Sequence, residues 1–223
     1  MIVSELLKFE QTNQNIDDFK ALAEKLCRML ESEGVLCKPY REGLPYFTKL
    51  TEYQQKEAIR NLGFYVDLCR EQMLDGYKLS DNLSFTWRAF RKLNLIPRSD
   101  LFQMVSDEDV LEIYSSDSRQ LYRNLRFYEH CSYSLEELYS LEWWSLFHRD
   151  EHITASLMES AAMVLNGECE GHVYPTVGTH VVRELCSEEK LANIYEPRLL
   201  SPLFCNKKVE GIFAAVRLVS VEN

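Results

Sequence analysis

No apolar run in this chain approaches the ~20 residues that a membrane-spanning helix requires, so no membrane span is expected. There is no CxxC pair, which removes the usual signature of a redox dithiol or a zinc knuckle. A Gly-rich phosphate loop and a GxSxG elbow are also absent, as is any GGDEF-like stretch. No nucleophile stands beside a base at a spacing that would establish a catalytic pair, so no enzymatic activity is expected. Positive charge is in deficit: 25 Lys and Arg face 35 Asp and Glu, a net charge of −10. Displacing phosphate counterions needs clustered cations, so direct nucleic-acid binding is not expected, although a basic partner remains compatible. Repeats and low-complexity tracts are missing too. The N-terminus, MIVSELLKFEQTNQ, carries Glu5 and Glu10 where a secretory leader has a basic then apolar region, so no leader is expected.

What is present is ordinary globular material. The 223 residues are 46% hydrophobic and 27% charged, enough for a sizeable core in one or two domains. The cysteines at 27, 37, 69, 131, 169, 186 and 205 are scattered and odd in number. Reduced, mostly buried thiols in a cytoplasmic protein are the simplest reading.

The first part of the chain, residues 1–96, reads as helical. Phe19, Leu22, Ala23, Leu26, Met29 and Leu30 recur at spacings of three and four, after Asp17 or Asp18 as a cap and before Gly34 as a stop. That stripe is a candidate surface for self-association into a homodimer. VLCKPYREGLPYF reads as a loop. Thr51 and Gln54 have the spacing of a capping box, ahead of a helix through Ala58, Leu62, Tyr65, Val66, Cys69 and Met73 that ends near Gly76. Ser80 or Asp81 opens a further short helix with Phe85, Ala89, Phe90 and Leu93 on one side. Ile96-Pro97-Arg98-Ser99 breaks the helical pattern and marks a candidate boundary.

Beyond it the pattern turns mixed, so the fold class is α+β. Val110–Tyr114 reads as a short apolar strand, SSDS as a turn and Gln120–Tyr122 as a second strand. Ser134 caps a helix LEELYSL, with Glu136 and Glu137 in its first turn, where the dipole favours anions. WWSLFHRDEH is a short helical segment, ITASLMESAAMVLNG a longer helix ended by Asn166-Gly167. HVVREL, IYEPRLLSPLF and VEGIFAAVRLVSV are strand-like. Pro197 and Pro202 imply that the middle one is interrupted or lies at an edge.

Strand, tight turn, strand, Asn124, then SYSLEELY resembles the opening of a PAS domain, and residues 108–223 follow the PAS order element by element. The acidic-Gly turn usual between the late strands is replaced by EEKLAN, and the usual Asp-Ile-Thr ending is missing. The resemblance implies an antiparallel sheet flanked by helices and a signal-sensing role exerted on a separate regulatory protein or on a further part of a longer regulator. A transcription regulator is one such output. It further implies a small apolar or planar ligand, with no cofactor specified. Tyr122, Phe127, Tyr133, Trp143, Trp144 and Phe147 fall where PAS folds keep a cavity, so they are the candidate pocket; core packing is the competing account of the same rings.

Three motifs compete with that reading. His148-Arg149-Asp150-Glu151-His152 matches H-x-x-E-H, in which His148 and His152 would hold zinc on one helix face and Glu151 would activate water. The alternative is a zinc-dependent hydrolase. It requires one continuous helix through both imidazoles, whereas Asp150 also suits the cap of a helix starting near Ile153. Haem-binding PAS domains use a histidine near the long helix, where His152 and His148 lie, with His172 and His180 isolated. Cys131 lacks the NCRFLQ context of flavin-linked PAS sensors. A ligand-free interaction scaffold is the third class.

Overall fold

A computed structural model describes residues 2–169 and 171–221, with side chains from residue 14 onward. The architecture is α+β: three helices, then a mixed region whose six strands form one antiparallel sheet.

Helix α1 spans Ile2–Glu31, α2 Glu52–Leu74 and α3 Asn82–Leu93. Their ends follow local chemistry. Gly34 sits at φ +83 and its N–H, with that of Val35, closes back on the last turn of α1. Thr51 and Gln54 form a reciprocal capping box at α2, and Asp81 accepts from the Ser84 N–H at α3. The apolar stripe of α1 points inward: Phe19, Ala23, Leu26 and Leu30 are fully buried, and the Phe19 ring lies 4.4 Å from that of Phe47. The stripe therefore serves the core of its own chain, and a homodimer would have to use another surface. A helix needs its apolar face covered, and α2 and the following loop cover it here.

The hairpin β1 (Val110–Ser115) and β2 (Gln120–Arg123) leads through the short helices α4 (Leu125–Glu129) and α5 (Leu135–Ser140) to a two-residue strand, β3 (Phe147–His148). Helix α6 spans Glu151–Leu165, and β4 (His180–Glu184), β5 (Ala192–Cys205) and β6 (Lys208–Ser220) complete the chain. The sheet order is β2-β1-β6-β5-β4-β3, so the last strand enters beside the first. Asn206 and Lys207 both have positive φ, as a primed two-residue hairpin turn requires between β5 and β6.

Strand β5 is interior, but β4 pairs only with its first residues, so Pro197 and Pro202 lie beyond β4. Register shifts between Pro197 and Leu199, and the bulged Arg198 reaches the buried Asp109 at 2.8 Å.

One continuous apolar core joins the helical segment to the sheet. One sheet face carries Leu111, Ile113, Tyr122, Phe213 and Ala215, all essentially inaccessible. Tyr122 stacks 6.0 Å from Tyr65 of α2, and Phe213 lies 5.7 Å from Phe90 of α3. Glu136 at the start of α5 adds a polar tie: its carboxylate accepts the backbone N–H groups of Arg41, Tyr46 and Phe47. A fully buried carboxylate is tolerated there because peptide donors replace its water.

Candidate functional site

The alternation of the β1–β2 hairpin divides its side chains between two environments. Glu112 pairs with Arg123 and Tyr114 with Gln120, so these four share one face, while Ile113 and Tyr122 share the other. The first set is polar and yet largely enclosed. Gln120 Nε2 donates to Glu112 Oε1, and Arg123 Nη2 donates to Gln120 Oε1. The Tyr114 hydroxyl donates to Glu112 Oε2 at 3.0 Å. Glu112 is only 8% exposed. Burial pushes its carboxyl above the usual range, an effect opposed by the Arg123 charge and the Tyr114 and Gln120 hydrogen bonds.

Around this relay lies a cavity of about 40 Å³, bounded by Phe127, Trp143, Phe147, Arg149 and Tyr195. Phe127 and Phe147 meet edge to face at 6.4 Å. The Arg123 guanidinium lies 4.3 Å from the Phe127 ring centroid, and that of Arg149 lies 4.9 Å from Tyr195. On the far side of Gln120 and Trp143 a larger groove of about 360 Å³ opens between α2, the hairpin and the end of α5. Tyr53, Tyr65, Tyr139 and Leu141 are among its walls, and Arg123 reaches it as well.

The structure sorts the six rings expected to line one pocket. Phe127, Trp143 and Phe147 do border the cavity. Tyr133 is buried beside Phe147 but is a structural bridge: its hydroxyl donates to the Leu146 carbonyl and accepts from the Leu185 and Cys186 N–H groups. Tyr122 belongs to the other sheet face, where its hydroxyl meets that of Thr86 at 3.1 Å, although it also walls the groove. Trp144 is 46% exposed and stands outside the cavity against Trp143. These three placements separate the six rings expected to share one pocket, because the pleat and the turn at Trp143–Ser145 send neighbouring rings in different directions.

Glu112, Gln120, Arg123, Arg149 and Tyr195 were not singled out from sequence. A charged residue inside the apolar run VLEIY, facing an Arg at the end of the next strand, was the available signal.

The HRDEH segment does not lie on one helix. His148 is in β3, paired with Arg183, Asp150 occupies the N-cap position, and His152 falls in the first turn of α6. Both imidazoles are exposed. Among the described residues no group of three or more His, Cys, Asp or Glu converges to hold a metal ion, and no helix is long and apolar enough to cross a membrane.

No family model matches this chain, and none of the curated proteins compared with it does.

Proposed function

We propose that this chain is a regulatory protein that senses a small molecule, its sheet half acting as a sensor module of the PAS kind and its helical half receiving the signal. The observation that carries the reading is the two-sided hairpin. On one side Glu112 and Gln120, joined by a hydrogen bond, border the small aromatic cavity, and Gln120 and Arg123, joined by another, border the larger groove. From the same strand, Tyr122 stacks on Tyr65, and the Arg123 carbonyl accepts from the Tyr65 hydroxyl at 2.6 Å. A ligand that redraws the relay therefore pulls on a four-residue strand tied directly to α2. Packed interfaces pass such shifts on because they are stiff. The order hairpin, short helices, long helix, three antiparallel strands supports the PAS resemblance.

The reading is tested by a thermal-shift screen of small planar and acidic molecules, followed by hydrogen exchange on any that bind. The expected result is a raised Tm, with slowed exchange in β1, β2 and the Tyr65 turn of α2. A screen that leaves Tm unmoved, with native mass spectra of the bare chain only, would favour a ligand-free interaction scaffold that acts through a protein partner.

A further inference from the structure

Arg123 is 6% exposed, so its charge is almost completely removed from water. Burying a cation is costly unless an anion and full hydrogen bonding compensate it. Among the described residues no carboxylate lies within ion-pair distance of its guanidinium. Its contacts are the neutral amide of Gln120 through Nη2 and the face of Phe127, while Nη1 is buried without a partner. Glu112, directly across the ladder, is held by Gln120 and Tyr114 instead. The Trp143 indole Nε1 is a second buried donor without a partner, and Arg149 Nε a third. Arg123 and Trp143 both line the 360 Å³ groove, and Trp143 and Arg149 both line the 40 Å³ cavity behind it. All three orphaned atoms are N–H donors. They call for an acceptor, and the unpaired guanidinium calls for a negative one.

We propose that the groove binds a small carboxylic acid with a planar body. Its carboxylate sits on Arg123 Nη1 and Trp143 Nε1, and its body lies among Tyr53, Tyr139 and Leu141. With Nη2 held by Gln120, the two oxygens of a flat carboxylate are matched by Arg123 Nη1 and Trp143 Nε1, a pair of N–H donors of which one is charged. The groove's volume is that of a site for a small organic molecule, at the low end of the ~300–1,000 Å³ usual for such sites. The cavity behind holds only about three waters, so the body stays on the groove side of Trp143. This inference rests on the sensor reading and specifies its ligand.

Benzoate and its neutral isostere benzamide separate the two ideas by titration calorimetry on the whole chain. Benzoate is expected to bind about tenfold or more tightly than benzamide, because a hydrogen bond to a charged partner is the stronger kind. Arg123→Met should abolish that preference while leaving benzamide binding in place. It should also keep or raise the Tm of the ligand-free chain, since it removes an uncompensated buried charge. Equal binding of benzoate and benzamide would overturn the acid assignment and leave a ligand groove standing. Binding of neither would overturn the proposal, and the thermal-shift screen then decides the sensor reading by itself. A large drop in Tm for Arg123→Met, with benzoate binding undiminished, would make Arg123 a structural cation and also overturn it.

Discussion

Glu112 and Arg123 face each other in the ladder without forming an ion pair, and each consequence is residue-specific. Burial raises the Glu112 carboxyl above its ordinary value of 4.5, so the protonated form is favoured in the folded chain. A group raised in this way contributes its stability below its unfolded value and loses it as pH climbs through the folded value. Glu112→Gln keeps the neutral shape and cannot ionise. Its Tm relative to the parent's is therefore expected to rise as pH climbs above the ordinary carboxyl value of 4.5 and then to level off, read by thermal melts from about pH 4 upward. A parent that gains stability relative to Glu112→Gln over the same rise would contradict this sign. The aromatic residues divide just as sharply. Phe147 is 8% exposed and supports the cavity wall, so Phe147→Ala should cost about 3–5 kcal/mol in urea unfolding. Trp144→Ala removes a half-exposed ring and is expected to stay within about 1 kcal/mol.

At the scale of elements, β1 and β6 approach more closely than a side chain between them would permit. A Cβ placed on Gly211 would stand 2.5 Å from the Tyr114 carbonyl oxygen, which is backbone and cannot step aside. Gly211 pairs with Ser115, one residue beyond the Tyr114 that hydrogen-bonds Glu112. Gly211→Ala should therefore push β1 away from β6, with a cost of about 1–3 kcal/mol as overpacking usually exacts. Faster amide exchange along β1, with α3 unchanged, is the expected signature; a variant as stable as the parent would show that the strands can part freely. The caps, by contrast, are local. The box at Thr51/Gln54 forms as its spacing predicts, and the expected Ser134 cap is completed by Glu137 into a second box, since each needs only one turn of chain.

For the whole molecule, the sheet and the helical segment share one core. Tyr122 packs against Tyr65 of α2 and Phe85 of α3, and Phe213 packs against Phe90 of α3, so the sheet buries part of its apolar face on the helical segment. Ile96 also pairs with Phe204 across the presumed boundary. A fragment starting at Ser99 would expose that apolar face, and at ~25 cal/mol per Å² its loss is large against a typical net stability of about 5–15 kcal/mol. Such a fragment is expected to lack a cooperative thermal transition by circular dichroism and to aggregate. A sharp transition matching that of the full chain would mean that residues 108–223 fold alone.

The sequence by itself determined most of the elements and their order. Helix α1, however, runs past Asp17 and Asp18 instead of starting there, and α4 was not foreseen. Phe147–His148 is a strand where a helical segment was expected, because a two-residue strand is fixed only by its partner β4. Helix periodicity, capping residues and the positive-φ glycines at 34, 76 and 167 act within a few residues, so short-range reading reaches them. It also placed His148 ahead of the α6 cap, because a helix start is a local event. The tertiary structure alone decided which way each apolar stripe faced. The α1 stripe reads equally well as an interface or as core, and only the position of Phe47 and α2 makes it core. The same holds for the candidate site. Glu112, Gln120 and Arg123 are unremarkable residues in a short hairpin until the pleat puts them on one face and Phe127, Trp143 and Arg149 close over them. Strand pairing, and the burial that turns a guanidinium into a binding group, depend on residues as far apart in the chain as Val110 and Val216. No local pattern encodes that distance.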